Sequence, residues 1–183
     1  IYEMNGKQVV RVNAKPDNPK TAAQVAQRAK FSLASRGMSP LNKIVKIGYR
    51  NREMSFGKLI GLAYRDAIIG EYPDLMFDYS KVSVSEGRVQ LPGNINIETG
   101  EGSNMVSFSW DTNIIGSSKQ GRDNDLVNIV CLNSSIMFAE HSLHAAKRSA
   151  GKADFEIPAG WMLKDLHFWL FLSSNDTGEN SDS

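Results

Sequence analysis

The chain has 183 residues, 41% of them hydrophobic and 22% charged, with a formal net charge of +1. That balance belongs to a globular protein with a substantial core and excludes a disordered chain. No apolar run approaches the roughly 20 residues that a spanning helix needs, so no membrane span is expected. Charge is unevenly spread: residues 1–74 carry 13 Lys and Arg against 6 Asp and Glu, and residues 75–183 carry 8 against 14. The single cysteine, Cys131, lies in the apolar run Leu126-Val-Asn-Ile-Val-Cys-Leu132. It allows no internal disulfide, reads as a buried thiol and fits a reducing compartment. Ile1 is not a Met and no signal peptide is visible, so removal of an N-terminal segment is expected and the compartment stays unassigned.

Asn5-Gly6 separates two short β-favouring runs within residues 1–12, and this pair accepts the positive φ angles of a hairpin turn. Lys15-Pro-Asp-Asn-Pro19 then blocks regular structure. Thr21-Ala-Ala-Gln24 is a capping box, predicting a helix from Thr21 to Arg36 that stops at Gly37, with a stripe of Val25, Ala29, Phe31 or Ser32, and Leu33. Ser39-Pro40 signals a second helix that buries Leu41, Ile44, Val45 and Ile47 and ends between Gly48 and Asn51. A third, over 55–69, buries Phe56, Leu59, Ile60, Ala63 and Ile68 and is closed by Gly70. Gly57 and Gly61, four apart within it, permit close approach of another backbone at a cost of about 1 kcal/mol each.

Beyond Phe77 the period changes to two. Val82 and Val84 alternate with polar residues, as do Val89 and Leu91, and Glu86-Gly87 between them predicts a hairpin. Further strands are expected at 95–98, 105–110, 126–132, 153–157 and 166–173, with Trp110 and Trp169 as core aromatics. The segment 136–147 admits a strand and turn or one short helix. The run from Ser173 to Ser183 has no apolar residue and reads as a terminal loop or as a turn whose partner strand is missing.

At Asn18-Pro-Lys-Thr-Ala-Ala-Gln-Val-Ala-Gln-Arg-Ala-Lys-Phe31 the sequence resembles an uncharacterised bacterial domain-of-unknown-function family, number 6266. Its hallmark is Asn-Pro-(Arg/Lys)-Thr-x-x-Gln-x-x-Gln-Arg-x-x-Phe. Met38-Ser-Pro40, Tyr72-Pro-Asp74, Asp78-Tyr-Ser-Lys-Val82, Val106-Ser-Phe-Ser-Trp110 and Ile157-Pro-Ala-Gly-Trp161 are similar in order and spacing. The resemblance implies a helical region followed by a β region and implies no activity. Family members begin with a Gly-rich leader that this sequence lacks, which again suggests trimming.

Candidate chemistry is sparse. His141 and His144 share one face only if they are helical, and neither they nor His167 come with a Cys pair or a Glu-x-x-His pattern, so no metal is expected. No nucleophile elbow, Walker loop or dinucleotide fingerprint is present, so no catalytic residue and no cofactor is assigned. A carboxylate pair able to hydrolyse a substrate meets only in space and stays open. Asn133-Ser-Ser135 and Asn175-Asp-Thr177 match the glycosylation pattern and read as exposed turns.

Lys43, Lys46 and Arg50, at i, i+3 and i+7, set three cations on one helical face, suited to phosphates of a nucleic acid or equally to a solvated surface. Gln27, Arg28 and Phe31 form either an interaction face or an anchor onto the β region. The sequence therefore predicts an α+β protein: a hairpin and three basic helices in 1–74, then an acidic immunoglobulin- or fibronectin-like antiparallel sandwich in 75–183. Its expected role is non-enzymatic, structural or protein-interacting, with a protein partner or self-association favoured over nucleic acid.

Overall fold

The computed structural model describes residues 2–4, 6–9, 20–100, 104–114 and 121–183. The expected Lys15 to Pro19 block, Asn5 of the first turn, and Asn18 and Pro19 of the family motif lie outside them. The chain is a mixed helix and strand protein in which the described strands pair antiparallel, with one isolated parallel bridge between Val89 and Ser181. At the N-terminus, β1 (Tyr2–Met4) pairs with β2 (Lys7–Val9), and Gly6 between them has φ +72°.

Helix α1 (Ala22–Met38) starts at Thr21, whose hydroxyl accepts from the Gln24 amide at 3.4 Å. The reciprocal half of the capping box is not made: Gln24 Oε1 has no hydrogen-bond partner among the described residues. Gly37 does not end the helix. It lies inside α1 because the Phe77 ring packs there, and a Cβ would stand 2.8 Å from that ring. Nor does Ser39 act as an extended cap, since its backbone is helical. Proline removes one helical donor. The chain absorbs this by tightening into a 3-10 turn at Ser39–Leu41 and runs on into α2 (Asn42–Gly48). The helical layer is thus one long run, 22–48, and a second, α3 (Phe56–Asp66), capped by the Ser55 hydroxyl on the Lys58 amide. α3 stops short of residue 69 because β3 (Ile68–Ile69) turns through Gly70 and pairs with β4 (Met76–Phe77).

The remaining strands are β5 (Asn96–Thr99), β6 (Met105–Ser109), β7 (Leu126–Asn133), β8 (Phe138–Lys147), β9 (Lys152–Glu156) and β10 (Leu166–Ser173). They form two three-stranded sheets, ordered β5-β6-β9 and β10-β7-β8. The ambiguous 136–147 segment is therefore a strand, and His141 and His144 sit on it rather than on a helix.

Within the sheet β10-β7-β8, the strands β7 and β10 are covered on both faces and β8 is partly exposed. Val130, Leu132, Trp169 and Phe171 pack with Met38, Leu41, Ile44, Val45, Leu59 and Ala63 of the helices. Val127, Ile129, Cys131, Leu170 and Leu172 pack with Val106, Phe108, Ala153 and Phe155 of the other sheet. This is why β7 reads as a continuous apolar run while β6, covered on one face, alternates. Two of the three tryptophans anchor this stack by donating their indole N–H, Trp110 to the Arg148 carbonyl at 2.8 Å and Trp169 to the Val82 carbonyl at 2.7 Å.

Three polar features are built into the stack. Asn128, inside β7, sits at a bulge where residue 127 faces 146 and residue 129 faces 142. Its amide donates to the carbonyls of Leu126 and Phe171 and to Ser173 Oγ, and its Oδ1 accepts from the His144 amide at 3.1 Å. Arg148 is fully buried beside Asp125, with Nε 3.5 Å from the carboxylate, and donates to the Gln90 carbonyl. Asn133 is also buried, contrary to its expected place on an exposed turn, because its Oδ1 accepts from the Ser135 and Ile136 amides.

The expected hairpin over 82–91 does not form. Val82, Val84 and Val89 are buried, but the backbone there is taken by the C-terminal run. The Val84 amide donates to Ser183 Oγ at 2.9 Å, Val89 to the Asn180 carbonyl at 3.0 Å, and Ser85 Oγ to the Ser181 carbonyl at 2.8 Å. The polar C-terminus is accordingly not a free loop: its turn at 175–177 is exposed, but Asn180 and Ser181 are buried and Ser173 bridges to Asn180.

Candidate interaction surface

Helical spacing places Gln24, Gln27, Arg28, Phe31, Ser35 and Ser39 along one side of the first helical run, because positions three and four apart are neighbours on a helix. Opposite them, α3 contributes Gly61 and Tyr64. Between the two lies a groove of about 920 Å³, also lined by Ser32 and Arg36. Among the described residues it is walled by two guanidinium groups, two side-chain amides, three serine hydroxyls, the Phe31 ring and the Tyr64 phenol, and by no carboxylate.

Three of the six residues singled out in the sequence, Gln27, Arg28 and Phe31, are brought together here. Phe31 is 57% exposed, so it does not anchor the helix onto the strands. That work falls to Ala34, Met38 and Leu41 on the other side of the run. Gly61 faces open space: a Cβ there would meet nothing within 4 Å. Gly57 is nearly as open, its nearest neighbour being the Ser55 hydroxyl. The glycine pair therefore serves no close packing between the described elements of this chain.

Lys43, Lys46 and Arg50 are exposed but are not part of the groove. They do not share one helix either, since α2 ends at Gly48 and Arg50 lies in the turn that follows. There Arg50 edges a hollow of about 290 Å³ with Asn180, His144 and Ser173. The signal for the groove that sequence alone missed is Arg36 with Tyr64, which meet only when α3 folds back beside α1.

Burial shifts two titratable groups of the strand core. Desolvation pushes the Cys131 thiol up to about 12, with Glu140 adding to the effect. Burial holds His167 below the usual imidazole range, opposed by Asp78 and Asp165, and its ring lies 4.6 Å from that of Tyr79. Among the described residues no three His, Cys, Asp or Glu side chains converge as a metal site.

No curated protein and no solved structure matches the chain. The model of a single family, described as "Family of unknown function (DUF6266)", matches residues 3–183. The match covers almost the whole chain, and the chain belongs to the DUF6266 family.

Proposed function

We propose that the protein is a non-enzymatic interaction module whose α1–α3 groove receives an acidic, amphipathic helix of a protein partner. The observation that carries this reading is the coincidence in one groove of the exposed Phe31, the cationic Arg36 and the glycine-smoothed face at Gly61. A ring that is 57% exposed and an interior helical glycine both lower the stability of the isolated chain. A partner helix returns that loss by covering the ring and approaching the glycine closely, as helix-in-groove recognition does.

The framework behind the groove is read as a sandwich of the immunoglobulin or fibronectin type. Its support is the strand order, in which the first, second and fifth strands of the β region share one sheet and the third and sixth pair in the other. Such sandwiches commonly present binding elements, and here the helical layer is the element presented.

The test is site-specific photo-crosslinking in the host cell from position 27, on the groove rim. A discrete protein adduct that is lost on Arg36→Glu and on Gly61→Trp is the expected result. The absence of any adduct, or one indifferent to both substitutions, would refute the reading.

The exposure of Lys43, Lys46 and Arg50 favours a second reading, nucleic-acid binding through the basic helices. It requires retention of a mixed-sequence duplex that falls steeply between low and physiological salt and is lost in the triple Glu variant.

A further inference from the structure

Opposite Asn128 of β7 stand three residues of β8, Leu143, His144 and Ala145, where an unbroken ladder would place one. A bulge re-aims the side chains it carries. This one holds its backbone in a costly form: His144 has φ +57°, a conformation that suits glycine, and its amide is fixed by Asn128 Oδ1 at 3.1 Å. The exposed imidazole lines a hollow of about 290 Å³.

Two other segments meet the bulge there: Arg50 lines the hollow from the turn after α2, and Ser174 and Asn175 line it from the turn that leaves β10. All three segments are tied together. The Asn51 side-chain amide donates to the Gly178 carbonyl at 3.3 Å, and Ser174 Oγ accepts from the Thr177 amide at 3.2 Å. Ser173 Oγ accepts from the Asn128 amide at 2.9 Å and donates to Asn180 Oδ1 at 2.7 Å. Beyond Asn180 the chain follows β10 away from the hollow, with Ser181 bonded to Leu172 and Ser183 to Val84. Among the described residues, neither the Arg50 guanidinium nor the His144 imidazole has a hydrogen-bond or ion-pair partner, and no carboxylate lines the hollow. Asp176, next to Asn175, is already paired with Arg122 at 2.7 Å. The carbonyls of Ile47 and Gly48, the negative end of α2, are both taken by the Asn180 amide. What remains is a planar fork of donors, a ring N–H and a side-chain amide beside the apolar Ile47, Leu126 and Leu143.

We infer that this hollow is a binding site for a small carboxylate with a short apolar tail. Arg50 takes the carboxylate as a guanidinium takes two oxygens, and the His144 ring N–H donates to the same group. The tail lies against Leu126 and Leu143. Its volume stands at the lower limit of small-molecule sites, so the hollow admits a ligand of roughly amino-acid size and neither a helix nor a duplex. A free acid and the last residue of a polypeptide present the same chemistry, and the test separates them. The hollow shares no lining residue with the α1–α3 groove, so this inference stands apart from the function proposed above.

The probes are isocaproate, its neutral amide and N-acetylglycylleucine, each titrated into the 15N-labelled full chain. Expected with isocaproate are saturable shifts of the Arg50, His144 and Asn175 amide signals and a dissociation constant of about 1 mM. The neutral amide binds at least tenfold more weakly. Arg50→Gln removes the fork from an exposed side chain, and His144→Gly removes the ring where the backbone favours glycine, so both variants keep the fold. Each weakens isocaproate at least fivefold, whereas Lys46→Gln, outside the hollow, leaves it unchanged. Tighter binding of the acetylated dipeptide than of isocaproate assigns the site to a polypeptide C-terminus, and the reverse order assigns it to a free acid. Equal binding of the acid and its neutral amide would mean that the hollow only adsorbs apolar groups, and would overturn the proposal. So would an Arg50→Gln protein that binds isocaproate as the parent does, or the absence of saturable shifts at tens of millimolar.

Discussion

Two regions of this protein reverse the usual relation between polarity and burial. The C-terminal run has no apolar side chain, yet Ser181 is fully buried and Asn180 nearly so. The α1–α3 groove carries Phe31 and an open glycine face, yet it lies in solvent. The difference is one of satisfied and unsatisfied contacts. The Asn180 side-chain amide donates to the carbonyls of Ile47 at 2.8 Å and Gly48 at 2.9 Å, both in the last turn of α2, where helix geometry leaves carbonyls without partners. A polar segment can be buried when each of its groups meets such a need. The open apolar face finds no such return among the described residues, and the partner proposed above would supply it.

The buried polar groups offer the sharpest way to break this contrast, and Arg148 should have the largest effect. Arg148→Met leaves the Asp125 carboxylate buried without its cation and should cost about 3–5 kcal/mol of stability in urea denaturation. Adding Asp125→Asn should recover part of the loss, because the uncompensated charge is then gone. If the single variant is as stable as the parent, the ion pair is not what holds the loop before β7 to the end of β8. Next in size is Asn128→Leu, which strands the Phe171 carbonyl and the His144 amide at the bulge. A loss of about 2–3 kcal/mol is expected, with hydrogen exchange quickening at His144.

What the sequence disclosed divides along the same line. Element type was legible wherever one periodicity dominated. The 166–173 strand was read at its true bounds, and the capping serine and threonine of α3 and α1 were recognised as helix starts. The false hairpin at 82–91 arose because Val82, Val84 and Val89 alternate as a strand does, although their backbone partners lie about 90 residues away in a run with no apolar signal at all. The stop placed at Gly37 failed for a related reason: the glycine answers to the Phe77 ring, which no local pattern discloses. Half of the candidate groove was legible because Gln27, Arg28 and Phe31 share one helical face. Arg36 and Tyr64 were not, since the fold-back of α3 brings them together.

The smaller predictions sharpen the contrast from its two ends. Asn180→Ala removes both capping bonds on α2 and should cost about 1–2 kcal/mol, with faster exchange of the Val89 amide that the same residue's carbonyl accepts. Gly61→Ala should do the reverse. A methyl group there meets nothing within 4 Å, and alanine in a helix interior restricts the unfolded chain, so stability should rise by about 0.5–1 kcal/mol. In the proposed function, Gly61 serves the approach of a partner backbone rather than packing among the described residues. The same Gly61→Ala protein, more stable in urea, should therefore give a weaker crosslink from position 27, because the added methyl group holds a partner backbone away from α3. A variant that gains stability and loses no crosslink would show that the groove's partner does not approach this glycine, and would shift the contact toward the rim at Phe31.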